Sequence, residues 1–151
     1  MRIALGSDHR GISLKARVIE KLGQMTDREL ACHDFGPSTD EAVDYPDYAA
    51  KVAEGVASGD FDRGILICCS GIGMAMAANK VHGVRAASID DPEAARATRE
   101  HNDANVLTLG ASRVSDDEAL AIIDAFLTTP FGGGRHQRRV DKITEIERTQ
   151  V

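Results

Sequence analysis

The sequence predicts an α/β protein, a three-layer α/β/α sandwich built around a five-stranded parallel sheet. Apolar stretches of strand length alternate with amphipathic helical patterns along nearly the whole chain. Such alternation favours a parallel sheet with helices on both faces, in a Rossmann-like arrangement. The 151 residues, 42% hydrophobic and 28% charged, fit one globular domain, and no repeat or linker divides them. We therefore expect a single domain over residues 1–151.

The predicted elements begin with two strand–helix units and a third strand. Residues 2–8 form an apolar strand, and residues 13–22 follow as a helix with four aliphatic side chains on one face. The next strand is predicted at 29–36 and the next helix at 45–59. Residues 62–71 contain the most continuously apolar strand, which is typical of a central strand covered on both faces.

The same alternation continues to the C-terminus. The remaining helices are predicted at residues 74–81, 92–101, 116–127 and 135–149, and the remaining strands at 84–90 and 105–112. Asp116 and Asp117 suit the start of a helix because carboxylates are favoured there. Pro130 and the three glycines 132–134 separate the last helix from the rest.

Charge, hydropathy and cysteine content exclude several classes of protein. The net charge is -6, with 24 acidic and 18 basic residues, which disfavours nucleic-acid binding. No apolar run reaches the roughly 18 to 20 residues of a membrane span, and the start lacks an apolar signal segment. Cys32, Cys68 and Cys69 have no zinc-like spacing. We expect a soluble, cytoplasmic protein without a metal, a nucleic-acid partner or a membrane partner. Its thiols should be reduced, and Cys32 should fill the core.

The loop after the central strand carries the clearest chemical signal. Ligands bind beyond the carboxyl ends of parallel strands, and residues 68–73 form such a loop, Cys-Cys-Ser-Gly-Ile-Gly. Its glycines would let backbone N–H groups approach an oxyanion, and the start of the next helix would favour a thiolate at Cys68, a candidate base. Alternatively, Cys68 is a buried strand residue and the glycines form a tight turn. A C-x5-R phosphatase loop is excluded, because Met74 and Ala75 occupy the positions where such a loop would need arginine.

Other candidates lie at element ends. Asp8 and His9 follow the first strand, Tyr45 begins a helix, and His101 and Asn102 end another. Each also fits a capping or turn role, so the alternatives stay open for each residue taken alone.

The last helix concentrates positive charge in an acidic protein. Arg135, Arg139 and Lys142 share one helical face, with His136 and Arg138 beside them. This face is either solvated or a phosphate clamp, since the arginine fork matches phosphate oxygens. Arg113, after the last strand, could join such a clamp.

These segments together resemble the ribose-5-phosphate isomerase B family over nearly the whole chain. The resemblance lies in SDHRG near residue 8, DYPDYA at 44–49, GILICCSGIGMAMAANK at 64–80, REHNDANVLTLG at 99–110 and GGGRHQRRVDKI at 132–143. It implies an aldose–ketose isomerase of ribose 5-phosphate and ribulose 5-phosphate, working through a ring-opened enediolate without metal or organic cofactor. It also implies a homodimer or dimer of dimers whose sites take residues from two subunits, with the helix 135–149 at the dimer interface.

The resemblance also implies a role for each candidate residue. Cys68 would be the proton-carrying base, with Ser70 and the amides around Gly71 and Gly73 steadying the enediolate oxygens. His101, with Asp8, would open the sugar ring. The predicted substrate-binding residues are Asn102 and Tyr45 for sugar oxygens, and His9, Arg113, Arg135 and Arg139 for the phosphate.

Two positions differ within the family. Cys69 stands where the common family pattern has glycine, and Met74 where one branch has a catalytic glutamate. The alternative substrates are therefore allose 6-phosphate, galactose 6-phosphate or a four-carbon sugar phosphate. A phosphosugar-binding protein without catalysis is the alternative from another class, because fold alone does not fix function.

Overall fold

The computed structural model describes residues 1–150 and contains five strands and six helices. The strands are β1 (Arg2–Ser7), β2 (Ala31–Asp34), β3 (Arg63–Cys68), β4 (Ala86–Ser88) and β5 (Val106–Gly110). The helices are α1 (Ile12–Gln24), α2 (Tyr45–Ala57), α3 (Ile72–Ala78), α4 (Pro92–Asn102), α5 (Asp116–Thr128) and α6 (Arg135–Thr149). Val151, the last residue of the predicted domain, lies outside the described residues.

The five strands form one sheet in the order β2-β1-β3-β5-β4, and every pairing is parallel. Ile65 and Ile67 of β3 pack in the core on the side of α1 and α5. Leu66 and Cys68, which alternate with them, pack in the core on the side of α2. The three-layer α/β fold and the central position of the most apolar strand are thus confirmed.

The element boundaries differ from the predicted ones by a few residues. The third helix begins at Ile72 rather than 74, because Gly71 caps it in a left-handed conformation with φ of 78°. The prediction that Cys32 fills the core was wrong. The four residues of β2 are exposed, since β2 is an edge strand.

Helix α6 packs little against its own chain. Val140 alone is buried among residues 135–149, while Ile143 and Ile146 are 46% and 59% exposed. On α3, Ile72 and Met76 are 52% and 65% exposed. Exposed apolar side chains grouped on helices are typical of an interaction surface. None of the helices within residues 1–150 combines the length and apolar character needed to cross a membrane.

Candidate active site

The ends of β1 and β3 hold Asp8 directly beside the cysteine loop. The Asp8 N–H donates to the carbonyl oxygen of Ile67 at 3.0 Å. The Asp8 Oδ1 accepts the N–H groups of Arg10 at 2.9 Å and Gly11 at 3.1 Å. Asp8 is only 7% exposed, so its carboxylate is fixed next to the strand that ends at Cys68.

Cys68 occupies a setting that suits a proton-carrying thiol. Its Sγ accepts the N–H of Gly71 at 3.1 Å, and α3 begins at the next residue, Ile72. A backbone donor and a helix start both stabilise negative charge on sulfur. Cys68 is 4% exposed. It is therefore a buried strand residue next to a tight glycine turn, and its thiol also accepts a backbone N–H, as a candidate base would.

The two loop glycines allow neighbouring segments to approach the loop closely. Gly71 cannot take a side chain, because a Cβ there would lie 2.9 Å from the carbonyl carbon of Leu109. A Cβ on Gly73 would lie 2.7 Å from Cζ of Tyr45, so the tyrosine ring lies directly on this glycine. Ser70 Oγ accepts the N–H of Ile72 at 3.3 Å, which turns the hydroxyl toward the start of the helix.

His9 and Arg113 flank this loop on opposite sides. His9 Nδ1 accepts the N–H of Val43 at 3.2 Å, which leaves Nε2 as the donor of a neutral ring. Arg113 Nη2 is paired with Asp90 Oδ2 at 2.8 Å. Arg113, Asp90 and Ser70 line a small cavity of about 210 Å³. Asp90 was not among the predicted site residues, although its place after β4 is a position where ligand-binding side chains are expected.

The residues at this edge of the sheet form what we call the strand-end cluster. Its members are Asp8, His9, Tyr45, Cys68, Ser70, Gly71, Gly73 and Arg113. They come from the loops that follow β1, β3 and β5 and from the start of α2.

A second group, the helix-end cluster, consists of His101, Asn102, Arg135 and Arg139. All four side chains are exposed. The imidazole of His101 stacks on that of His136, with ring centroids 4.5 Å apart and planes inclined by 19°. The backbone joins the two helices, since the Gly132 N–H donates to the Glu100 carbonyl oxygen at 3.0 Å. The start of α6 is thereby held beside the end of α4.

A buried arginine fixes the end of α4. Arg99 is 2% exposed, and its Nη1 donates to Asp103 Oδ1 at 2.8 Å and to the Ala104 carbonyl oxygen at 2.6 Å. Its Nε donates to the carbonyl oxygen of Thr129 at 3.3 Å, at the start of the segment leading to α6. Asp103 also pairs with Arg85 Nη2 at 3.1 Å. One guanidinium therefore links the end of α4 to the segment that leads to α6.

The two clusters lie at opposite edges of the sheet. Helix α4 runs back from the carboxyl ends of the strands, and shortly after it the Asn105 carbonyl accepts the N–H of Gly64, at the start of β3. Cys68 is at the other end of β3, whose six residues span about 20 Å. Within one chain, the structure does not bring His101 together with Cys68 or Asp8, and it places Arg113 away from Arg135 and Arg139.

No group of three or more His, Cys, Asp or Glu side chains within residues 1–150 is arranged to hold a metal ion. The two clusters supply a thiol, imidazoles, hydroxyls, a carboxylate and guanidinium ions.

Comparison with known proteins gives consistent matches over the whole length. The sequence model of a family described as ribose/galactose isomerase matches residues 3–143. Ribose-5-phosphate isomerase B of Escherichia coli (strain K12) is 44% identical over 146 residues, which cover 97% of this chain and 96% of that protein. The Ribose-5-P isomerase B of Listeria innocua is also 44% identical, over 147 residues and 97% of both chains.

Solved structures agree with the sequence matches. A structure of the Clostridium thermocellum ribose-5-phosphate isomerase B superposes with a TM-score of 0.95 at 50% identity, covering 100% of both chains. The Mycoplasma genitalium ribose-5-phosphate isomerase B with bound ribulose 5-phosphate superposes with a TM-score of 0.92 at 44% identity, covering 99% of this chain and 97% of that one.

Proposed function

This chain belongs to the ribose/galactose isomerase family, and from that membership we propose that it is an aldose–ketose isomerase interconverting D-ribose 5-phosphate and D-ribulose 5-phosphate. The observation that carries the proposal is Cys68, a thiol that accepts a backbone N–H at 3.1 Å in the loop where a parallel sheet binds its ligands. A related isomerase of this fold, from Mycoplasma genitalium, carries ribulose 5-phosphate.

The reaction has two stages, opening of the sugar ring and proton transfer between C2 and C1. Ribose 5-phosphate is mainly a closed ring, so the bond between C1 and O4 must break first, with a proton leaving the C1 hydroxyl and another reaching O4. Cys68 then removes the C2 proton and returns it to C1, while a hydroxyl proton moves from O2 to O1. The enediolate between these steps carries negative charge, which Ser70 and the amides around Gly71 and Gly73 would stabilise.

The helix-end cluster and the other members of the strand-end cluster supply the remaining functions in this proposal. His101, together with Asp8, opens the ring as a general acid–base. Asn102 and Tyr45 bind sugar oxygens. His9, Arg113, Arg135 and Arg139 bind the phosphate, for which exposed arginine forks are suited.

A complete site requires two copies of the chain. The strand-end and helix-end clusters are separated by the length of β3, so we propose a homodimer, or a dimer of dimers, in which one subunit's helix-end cluster faces its partner's strand-end cluster. The exposed apolar side chains of α3 and α6 support this, because a homodimer interface would bury them. The free thiols of Cys32, Cys68 and Cys69 suit a reducing compartment such as the cytoplasm.

The direct test is an assay with purified, reduced protein. Ribose 5-phosphate is added in the presence of a chelator, and ketose formation is followed over time. We expect turnover that does not depend on metal. Allose 6-phosphate, galactose 6-phosphate and erythrose 4-phosphate are assayed in parallel, and a higher kcat/KM for any of them would reassign the substrate. Absence of ketose from all four sugars would reject the isomerase.

Removing an arginine of α6 should weaken substrate binding. We expect Arg139→Ala and Arg135→Ala each to raise the KM for ribose 5-phosphate about tenfold or more, since a charge-assisted contact to phosphate is worth about 1.5–3 kcal/mol. Steady-state kinetics measures this. Arg138→Ala, on the same exposed helix, is the matched control and should leave KM within about twofold. Unchanged kinetics in the Arg135→Ala and Arg139→Ala variants would return this face to a solvated role.

Mixing two inactive variants tests the shared site. Cys68→Ala and His101→Ala damage different clusters, so a mixed dimer should contain one site with both groups intact. Random exchange of subunits should restore about one quarter of the wild-type sites. Activity is measured before and after the variants are unfolded together and refolded. A mixture that stays as inactive as its components would mean that each site is built within one chain.

A further inference from the structure

The proposed function assigns no role to His136, although this residue makes the closest aromatic contact of the helix-end cluster. It is the second residue of α6, and its ring lies almost parallel to that of His101 at a centroid separation of 4.5 Å. His101 itself is exposed. A flat ring lying against an exposed side chain restricts the rotation of that side chain.

The backbone keeps this stack in place. His136 N–H donates to the Gly133 carbonyl oxygen at 3.0 Å, and Gly132 N–H donates to the Glu100 carbonyl oxygen at the same distance. Gly133 and Gly134 have φ of 61° and 54°, a conformation that favours glycine. The chain is thus turned sharply so that the second residue of α6 meets the end of α4.

The surroundings of His136 favour its neutral form. Partial burial lowers the pKa of His136 below its usual value of 6.5, and positive charge on His101, Arg135 and Arg139 lowers it further, while Glu100 acts in the opposite direction. Each of these lowering causes disfavours the protonated ring of His136. A neutral imidazole can lie against His101 in either protonation state of that ring without repelling it.

We propose that His136 is a positioning residue for sugar ring opening, and that its stacked imidazole holds His101 in the orientation from which it exchanges protons with the sugar. This inference rests on the proposed function. Opening the ring breaks the C1–O4 bond, takes one proton from the C1 hydroxyl and delivers one to O4, with no net change in protonation. His101 exchanges one of these protons while Asp8 assists with the other, so the orientation of the imidazole toward its sugar oxygen controls the rate.

The test separates ring opening from the later proton transfer at carbon. Ribulose 5-phosphate cannot close a five-membered ring, because its O5 carries the phosphate. Exchange of its C1 hydrogen with deuterated water therefore needs the thiol but no ring opening, whereas turnover of ribose 5-phosphate needs both. NMR measures the exchange, and a coupled assay measures the turnover.

We expect His136→Ala and His136→Gln, which both remove the ring, to lower kcat/KM for ribose 5-phosphate about tenfold or more. The exchange rate of ribulose 5-phosphate should stay within about twofold of the wild type. His136→Phe keeps a flat ring and should restore most of the lost turnover. His82→Ala, at an exposed histidine of the loop between α3 and β4, is the control. It tests whether removing any exposed histidine lowers turnover.

Two results would overturn the inference. Unchanged turnover in the ring-less variants would show that the stack is not needed, and a parallel fall in turnover and exchange would show a general structural role. Both are distinct from failure of the proposed function, in which the wild-type protein itself would not convert ribose 5-phosphate.

Discussion

Replacing Cys68 by alanine should lower kcat for ribose 5-phosphate by about a thousandfold, because loss of a positioned proton carrier typically costs about 10²–10⁴ in rate. The substrate should still bind, since the phosphate contacts and the loop glycines remain. Isothermal titration calorimetry measures the dissociation constant, and a coupled assay measures kcat. Exchange of the C1 hydrogen of ribulose 5-phosphate should be lost together with turnover.

Cys69→Ala is the matched control for this prediction. It removes the neighbouring thiol, whose Sγ lies 3.5 Å from Ser112 Oγ rather than on the loop amide that Cys68 engages. We expect its kcat to stay within about threefold of the wild type, as is usual for a side chain without a part in proton transfer. Near-normal rates in Cys68→Ala would refute the assignment of the base. Binding without turnover in the wild type would favour the non-catalytic alternative.

Replacing His101 by alanine should separate the two proton-transfer steps. Turnover of ribose 5-phosphate should fall about a hundredfold or more, as expected for removal of a general acid–base. The remaining turnover would come from the small open-chain fraction of the sugar. Exchange of the C1 hydrogen of ribulose 5-phosphate should persist, because this ketose is already open. The same coupled assay and NMR exchange measurement apply.

The result for His101 has a clear contrary outcome. If exchange disappears along with turnover, His101 takes part in the transfer at carbon and not only in ring opening. His33→Ala, at an exposed histidine of β2, is a suitable control because it lies on the edge strand farthest from β4 in the sheet. Its kinetics should match those of the wild type.

Much of the fold could be predicted from local patterns. The alternation of apolar strands and amphipathic helices predicted the parallel sheet, and the unbroken apolar run ending at Cys68 predicted the central strand. Cys32 shows the limit of this approach. An edge strand and a central strand can have similar composition, and only the strand order, set by contacts distant in sequence, decides which is covered.

The candidate site could also be predicted only in part from the sequence. The proximity of Asp8 to Cys68 could be expected, because both follow strands that end at one edge of the sheet. The separation of His101 from Cys68 depends on the return direction of α4 and could not be read from motifs. The stack of His136 on His101 depends on the glycine-controlled turn before α6, where the dihedral angles are not determined by the sequence pattern alone.

The sparse intramolecular packing of α6 implies that the activity per subunit depends on the protein concentration. Val140 is the single buried residue of 135–149, so in the proposed dimer the partner subunit would supply the remaining apolar contacts of this helix. In an isolated subunit α6 would lack those contacts, and the strand-end cluster would have no helix-end cluster facing it. At protein concentrations below the dissociation constant of the dimer, activity would rise with the square of the protein concentration. Dilution alone would then inactivate the protein.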